Sequence, residues 1–281
     1  MGMNSATLRA VIVVTALAAT AATSLWCAAG LADLRGVPAA ALQLASQPLR
    51  AAILTAVAIG VALSAAVLVG RYLNAVVGMF VLGCGIGVLA MRTGAIDGAA
   101  FDGASAVGLS IETLVWAPMV LVFALVVFRL SGRLPDEPPD LHERTHRSWL
   151  LDPSAGRVLA CALAAPLAVW LVAVNDWKGQ SIGAMVVGGL VAGLISRLAA
   201  PDARPVVAYG AAVLTVGAAQ LVLAPAGDLA AILATGQISP ITRVMPLDAA
   251  AGACAGVSLG IGWARSFMKA RPHEAGYAAH S

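Results

Sequence analysis

Two groups of residues have types and spacing suited to chemistry. His142, Glu143 and His146 form the pattern H-E-x-x-H. On a helix, histidines four residues apart share a face and can hold one zinc ion, and the glutamate between them can activate a bound water. Asp140, behind Pro138 and Pro139, suits a helix N-cap, and Glu143 three residues on completes a capping box. The second group is acidic. Asp97, Asp102 and Glu112 precede or begin one apolar stretch, and Asp228 and Asp248 another. Glu112 lies about 9 Å inside the run that starts near Ala106, at roughly 1.5 Å per residue. An ionisable group at that depth is expected to face a cavity or a partner.

The H-E-x-x-H pattern resembles that of the zinc peptidases, some of which are embedded in membranes. The resemblance covers five residues and implies zinc on His142 and His146 with Glu143 as base. It departs from that family in carrying Arg144 between the ligands and in lying in a charged loop. A third ligand is needed, and the nearby Asp152 falls on the opposite side of a continued helix. The alternative is an amphipathic helix on the membrane surface. His142, His146, Trp149 and Leu150 would lie on one side of it, and Arg144, Arg147 and Ser148 on the other. That alternative is preferred, so neither zinc nor any other cofactor is expected, nor a catalytic residue. The carboxylates also have two readings. Glu112 and Asp248 are either charges favoured by a helix N-terminus or, with Gln220, the binding residues for a small cationic or polar solute.

The elements that position these residues follow from composition. Hydrophobic residues make up 60% of the 281, charged residues 11%, and mean hydropathy is +0.90. A soluble domain carries about 25% charged residues. Apolar stretches near the roughly 20 residues that cross a bilayer occur at Ala10–Leu31, Ala51–Gly70, Leu73–Met91, Gly108–Leu130, Val158–Val174, Ser181–Ala200, Val206–Ala224 and Leu247–Ala264. The sequence thus predicts an all-α integral membrane protein of about eight transmembrane helices. Arg71 is the only charge between Ala51 and Met91, so a hairpin is expected at Gly70–Asn74. The first stretch is longer than a signal-peptide core of about 7–15 residues and is read as retained. Cys27, Cys84, Cys161 and Cys254 lie in four different spans with no ligand spacing and read as small packing residues.

Charge sets the orientation. With both termini cytoplasmic, Arg35, Arg50, Arg92, Lys178 and Arg243 fall outside and the other 12 of the 17 Lys and Arg inside, as the positive-inside rule requires. The net charge of +3 then reflects topology, and no nucleic-acid partner is expected. The chain divides into a first half (1–132), a cytoplasmic linker with a short amphipathic helix (133–157), a second half (158–268) and a tail without fixed structure (269–281). Arg9, Arg71 and Arg129 correspond to Arg157, Arg197 and Arg265, and Glu112 lies 17 residues before Arg129 as Asp248 does before Arg265. Two parallel four-helix repeats about an axis along the membrane normal are one expectation.

Small residues recur every four positions at Gly252, Gly256 and Gly260, at Gly189 and Gly193, and at Ala56, Gly60 and Ser64. Such faces let helices approach closely, within the chain, against a membrane-protein partner or against a second copy. Gly83, Gly85 and Gly87 lie inside an apolar span with no preceding strand, so packing is preferred over a nucleotide loop. The leading expectation is a small-solute permease of a bacterial-type plasma membrane with an exoplasmic acidic site. The alternatives are a non-catalytic partner subunit and a membrane zinc peptidase. No span has an ionisable residue near its centre, which argues against proton-driven antiport. Tyr209, Thr215 and Gln220 are the mid-span polar groups of the seventh stretch, and interhelical hydrogen bonding is the simplest role for each.

Overall fold

Where water is absent, a helix satisfies every backbone N–H and C=O within its own segment. The computed structural model describes residues 5–131, 153–225 and 227–268, and they form helices with no extended strand. In chain order these are α1 (Ser5–Ala28), α2 (Pro48–Tyr72), α3 (Ala75–Ala90), α4 (Ile96–Phe101), α5 (Ala106–Ser131), α6 (Pro153–Ala162), α7 (Ala164–Val172), α8 (Lys178–Ala199), α9 (Val206–Val222), α10 (Leu229–Ala234) and α11 (Pro246–Ala264). Six stretches are long and apolar enough to cross a bilayer: α1, α2, α5, α6 with α7, α8 and α11. α3 and α9 are apolar but shorter, at 16 and 17 residues.

The helices lie close to the apolar stretches of the sequence, with two differences. α1 begins earlier than Ala10 and stops at Ala28, because the chain turns there and Ala32 bridges Pro38. The fifth stretch is two helices. Pro166 has no N–H to offer the carbonyl of Ala162, and its ring crowds that carbonyl. The helix breaks at Leu163, and Thr215 Oγ1 on α9 donates to Ala162 O at 3.0 Å. The hairpin falls where Arg71 indicated. Asn74 caps α3 by accepting from Val77 N at 2.9 Å.

α8 and α11 form the tightest seam. A Cβ at Gly256 or Gly260 would overlap the carbonyl oxygens of Val186 and Leu190, and one at Gly193 would lie 2.6 Å from Val257 O. These small-residue faces are therefore occupied within the chain. The face of Ala56, Gly60 and Ser64 on α2 is exposed, and nothing lies within 4 Å of a Cβ at Gly60. α5 packs on α9 and α3 on α11, while α2 packs on α3 and, less extensively, on α5. Gly83 meets the backbone of Ala255, so the glycine run of α3 serves packing.

Four connections (29–47, 91–105, 173–177 and 223–245) meet at one end of the bundle. Gly94 N donates to Ala39 O at 3.0 Å, and the short helices α4 and α10 touch. Both end in the same way. Gly103 (φ +71) and Gly236 (φ +68) take the left-handed conformation. Ala104 N bonds Ala99 O at 3.0 Å, and Gln237 N bonds Ile232 O at 3.2 Å, which completes a Schellman turn on each. At the other end Arg71 Nε donates to Leu130 O at 3.0 Å, and Arg157 pairs with Asp202 at 2.6 Å.

α2 and α8 also share a burial pattern. α2 buries Thr55, Ala58, Ile59, Ala62, Ala66 and Gly70. α8 buries Ser181, Ala184, Met185, Gly188, Ala192 and Ser196, each 126 positions later.

Candidate functional site

Asp248 stands in the first turn of α11 and is completely buried. Its Oδ1 lies 2.7 Å from Lys178 Nζ, and its Oδ2 accepts Ser181 Oγ at 2.6 Å and Met245 N at 3.3 Å. Lys178 begins α8, and its Nζ also donates to Gly94 O at 2.9 Å. The lysine thus ties α8 to α11 and to the connection between α3 and α5. A buried carboxylate with a cation and two hydrogen-bond donors is compensated. It holds helices together and has little capacity left for a ligand.

Gln220 is also engaged. Its Nε2 donates to Ile241 O at 3.0 Å and Val244 O at 2.8 Å, which fastens the 3₁₀ turn Pro240–Arg243 to α9. Tyr209 and Ser258 hydrogen-bond between α9 and α11 at 3.0 Å. The polar groups of the seventh stretch therefore make contacts within the bundle.

Glu112 is placed differently. It is half-buried on α5, and its Oε1 accepts the N–H of Leu42 at 3.1 Å, beside the N–H of Gln43. This caps the 3₁₀ turn Leu42–Leu44. An ionised carboxylate offers about four lone-pair sites, and among the described residues no cation pairs with this one. It lines a groove of about 440 Å³ between α2 and α5, with Ala52, Thr55, Ala56, Ile59, Trp116 and Met119 among the other walls. That volume lies in the range of small-ligand sites, about 300–1,000 Å³. Thr55 is 2% exposed, and its Oγ1 has no hydrogen-bond partner. The groove includes neither Asp248 nor Gln220. Of the three residues that the sequence grouped, Glu112 alone lines this groove.

A second charged cluster sits on the connections. Arg35 pairs with Asp33 at 2.8 Å and with Asp102 at 3.0 Å, and its guanidinium lies 5.8 Å from the ring centre of Phe101. Burial alone would raise the Asp33 carboxyl. Hydrogen bonds from the Arg35 side chain and from the N–H groups of Val37 and Arg35, with the arginine charge, outweigh burial and hold it below the usual aspartate range. Asp102 goes the other way: burial and the charge of Asp33 outweigh Arg35 and raise it.

His142, Glu143 and His146 lie outside the described residues. Among the described residues no three His, Cys, Asp or Glu side chains gather where they could hold a metal. Lys178, Ser181 and Thr55 were missed by the sequence reading. Extending the Arg71–Arg197 correspondence along α2 and α8 places Thr55 opposite Ser181, a signal present in the sequence. No protein family, curated protein or solved structure matches the chain.

Proposed function

We propose that the chain is an eight-span plasma-membrane protein built from two parallel four-helix repeats, and that it binds a small cationic solute at Glu112 on the exoplasmic side as a permease. The observation that carries this reading is the Glu112 carboxylate, which lines an open groove with no cation beside it among the described residues. The repeat is supported by four features. Six of the eight buried positions of α2 are buried again in α8, 126 residues later, and α4 and α10 end in the same Schellman turn. The pairing of α5 with α9 and of α3 with α11 is the exchange that a twofold axis between halves requires. α3 and α9 take the same place in each half and are both short. The exoplasmic placement of the groove rests on the 12-to-5 division of Lys and Arg.

Counterflow in proteoliposomes tests the reading. Vesicles loaded with a small organic ammonium ion should accumulate the labelled ion, and Glu112→Gln should abolish the accumulation while leaving the protein folded. Equal counterflow by the variant would remove the reading. Glu112-dependent binding without counterflow would favour a second reading, a non-catalytic partner subunit, whose support is the open small-residue face of α2 at Ala56, Gly60 and Ser64.

A further inference from the structure

We infer that the groove at Glu112 takes a primary alkylammonium, a ligand whose likeness the second half of the chain carries as its own Lys178. The inference rests on the Glu112 reading above and names the chemistry that site accepts.

The 126-position match of α2 with α8 sets Thr55 against Ser181 and Ala52 against Lys178. The match of Arg129 with Arg265 sets Glu112 against Asp248. In the second half the three groups form one assembly. Ser181 Oγ donates to Asp248 Oδ2 at 2.6 Å, and Lys178 Nζ lies 2.7 Å from Oδ1. In the first half the hydroxyl and the carboxylate are both present on the walls of one groove, and the lysine is replaced by alanine. Two polar groups are left over as a result. Thr55 Oγ1 is buried without a partner, and Glu112 has no cation among the described residues. A buried, unpartnered polar group is costly unless a ligand or water completes it.

The space has a cause in the same register. The α8–α11 seam closes on Gly189, Gly193, Gly252 and Gly256. The corresponding positions of α2 and α5 carry Leu63, Val67, Trp116 and Val120. These bulkier residues keep α2 and α5 from closing to the same distance, and the groove is what remains. Its apolar walls suit an alkyl arm, as the apolar stem of a lysine packs on hydrocarbon. Its one charge suits an ammonium, whose three N–H donors can meet Glu112 and a second acceptor. No lining side chain is cationic, so a phosphate-bearing headgroup has no counter-charge there. The occupant is therefore a simple alkylamine and not a phospholipid.

The test uses the full chain in lipid nanodiscs, with butylammonium, tetramethylammonium, butanol and butyrate as probes. Butylammonium should bind best, by about tenfold or more over tetramethylammonium, and Glu112→Gln should remove that preference. Ala52→Lys should supply the ammonium from within. It should raise the unfolding temperature above that of Ala52→Met and abolish butylammonium binding, and the gain should vanish when Glu112→Gln is added. Lys178→Ala should be destabilised and then restored by butylammonium, because it opens the same vacancy in the second half. No coupling between Ala52→Lys and Glu112, together with no rescue of Lys178→Ala, overturns the inference. Glu112-dependent binding of tetramethylammonium at least as strong as that of butylammonium overturns it too, while leaving the cation site itself standing. If no ammonium ion binds in a Glu112-dependent way, both readings fall.

Discussion

Lys178 Nζ lies 2.7 Å from Asp248 Oδ1, and the carboxylate is completely buried while the lysine side chain is 13% exposed. The two residues open α8 and α11, helices whose glycine faces interlock along the rest of their length. The ion pair thus fixes the loop-rich end of a seam that packing alone holds further down. Removing one partner of a buried pair leaves an uncompensated charge and costs about 3–5 kcal/mol, whereas replacing both with apolar residues is often neutral. Asp248→Leu should therefore destabilise the protein strongly, and Lys178→Met with Asp248→Leu should recover most of the loss. Unfolding in lipid nanodiscs measures both. A double variant no better than the single one would mean that the pair does not act as a unit.

The seam makes its own prediction. Gly256→Leu must push a side chain into the backbone of Val186 and Leu190, and overpacking of this kind costs about 1–3 kcal/mol or more. Gly262, on the same helix, has nothing within 4 Å of a Cβ. Gly262→Ala should be neutral or stabilising by about 0.5 kcal/mol, because alanine restricts the unfolded chain. Equal loss at both positions would contradict close packing on the Gly256 face.

The Arg35 cluster should titrate in a fixed order. Asp102 is raised and Asp33 lowered. As pH falls, Asp102 takes its proton first, above the usual aspartate range, and loses its pairing with Arg35. Asp33 stays ionised until pH falls below that range. Its contribution to the connection is present above its unfolded pKa and is lost as pH drops through the lowered folded value. Hydrogen exchange at Val37 N, which donates to Asp33 Oδ1 at 3.1 Å, should stay slow through the first step and quicken at the second. Loss of protection at the first step would reverse the order.

Sidedness is testable by labelling. In a background lacking Cys27, Cys84, Cys161 and Cys254, Leu34→Cys should react with an impermeant thiol reagent in intact cells. Leu34 is 90% exposed on the 29–47 connection. Asp202→Cys, on the connection between α8 and α9, should react only after the cells are opened. The reverse pattern would place the groove on the cytoplasmic side.

Helix positions were legible in the sequence because bilayer thickness sets a length that few other constraints imitate. The break at Leu163 was legible in principle from Pro166, but the apolar run hides it. The roles of Glu112 and Asp248 were not separable from their place in the spans. Both start apolar helices, and what divides them is Lys178, which lies 70 positions from Asp248 in the chain and reaches it only because glycines bring α8 against α11. Gln220 looked like a polar lining residue for a similar reason. Its partners are backbone carbonyls of a connection, and no side-chain pattern marks those.

Under the proposed function Glu112, and not Asp248, is the carboxylate that meets a cationic solute. Equilibrium titration of a small organic ammonium ion into three forms of the purified chain tests this most directly. The forms are the native sequence, Glu112→Gln, and Lys178→Met with Asp248→Leu. Hydrogen bonds to charged groups are worth about 1.5–3 kcal/mol, so Glu112→Gln should weaken binding by about tenfold or more, and the double variant should bind as the native chain does. Binding that survives Glu112→Gln and disappears in the double variant would rule out Glu112 and move the site to the α8–α11 seam.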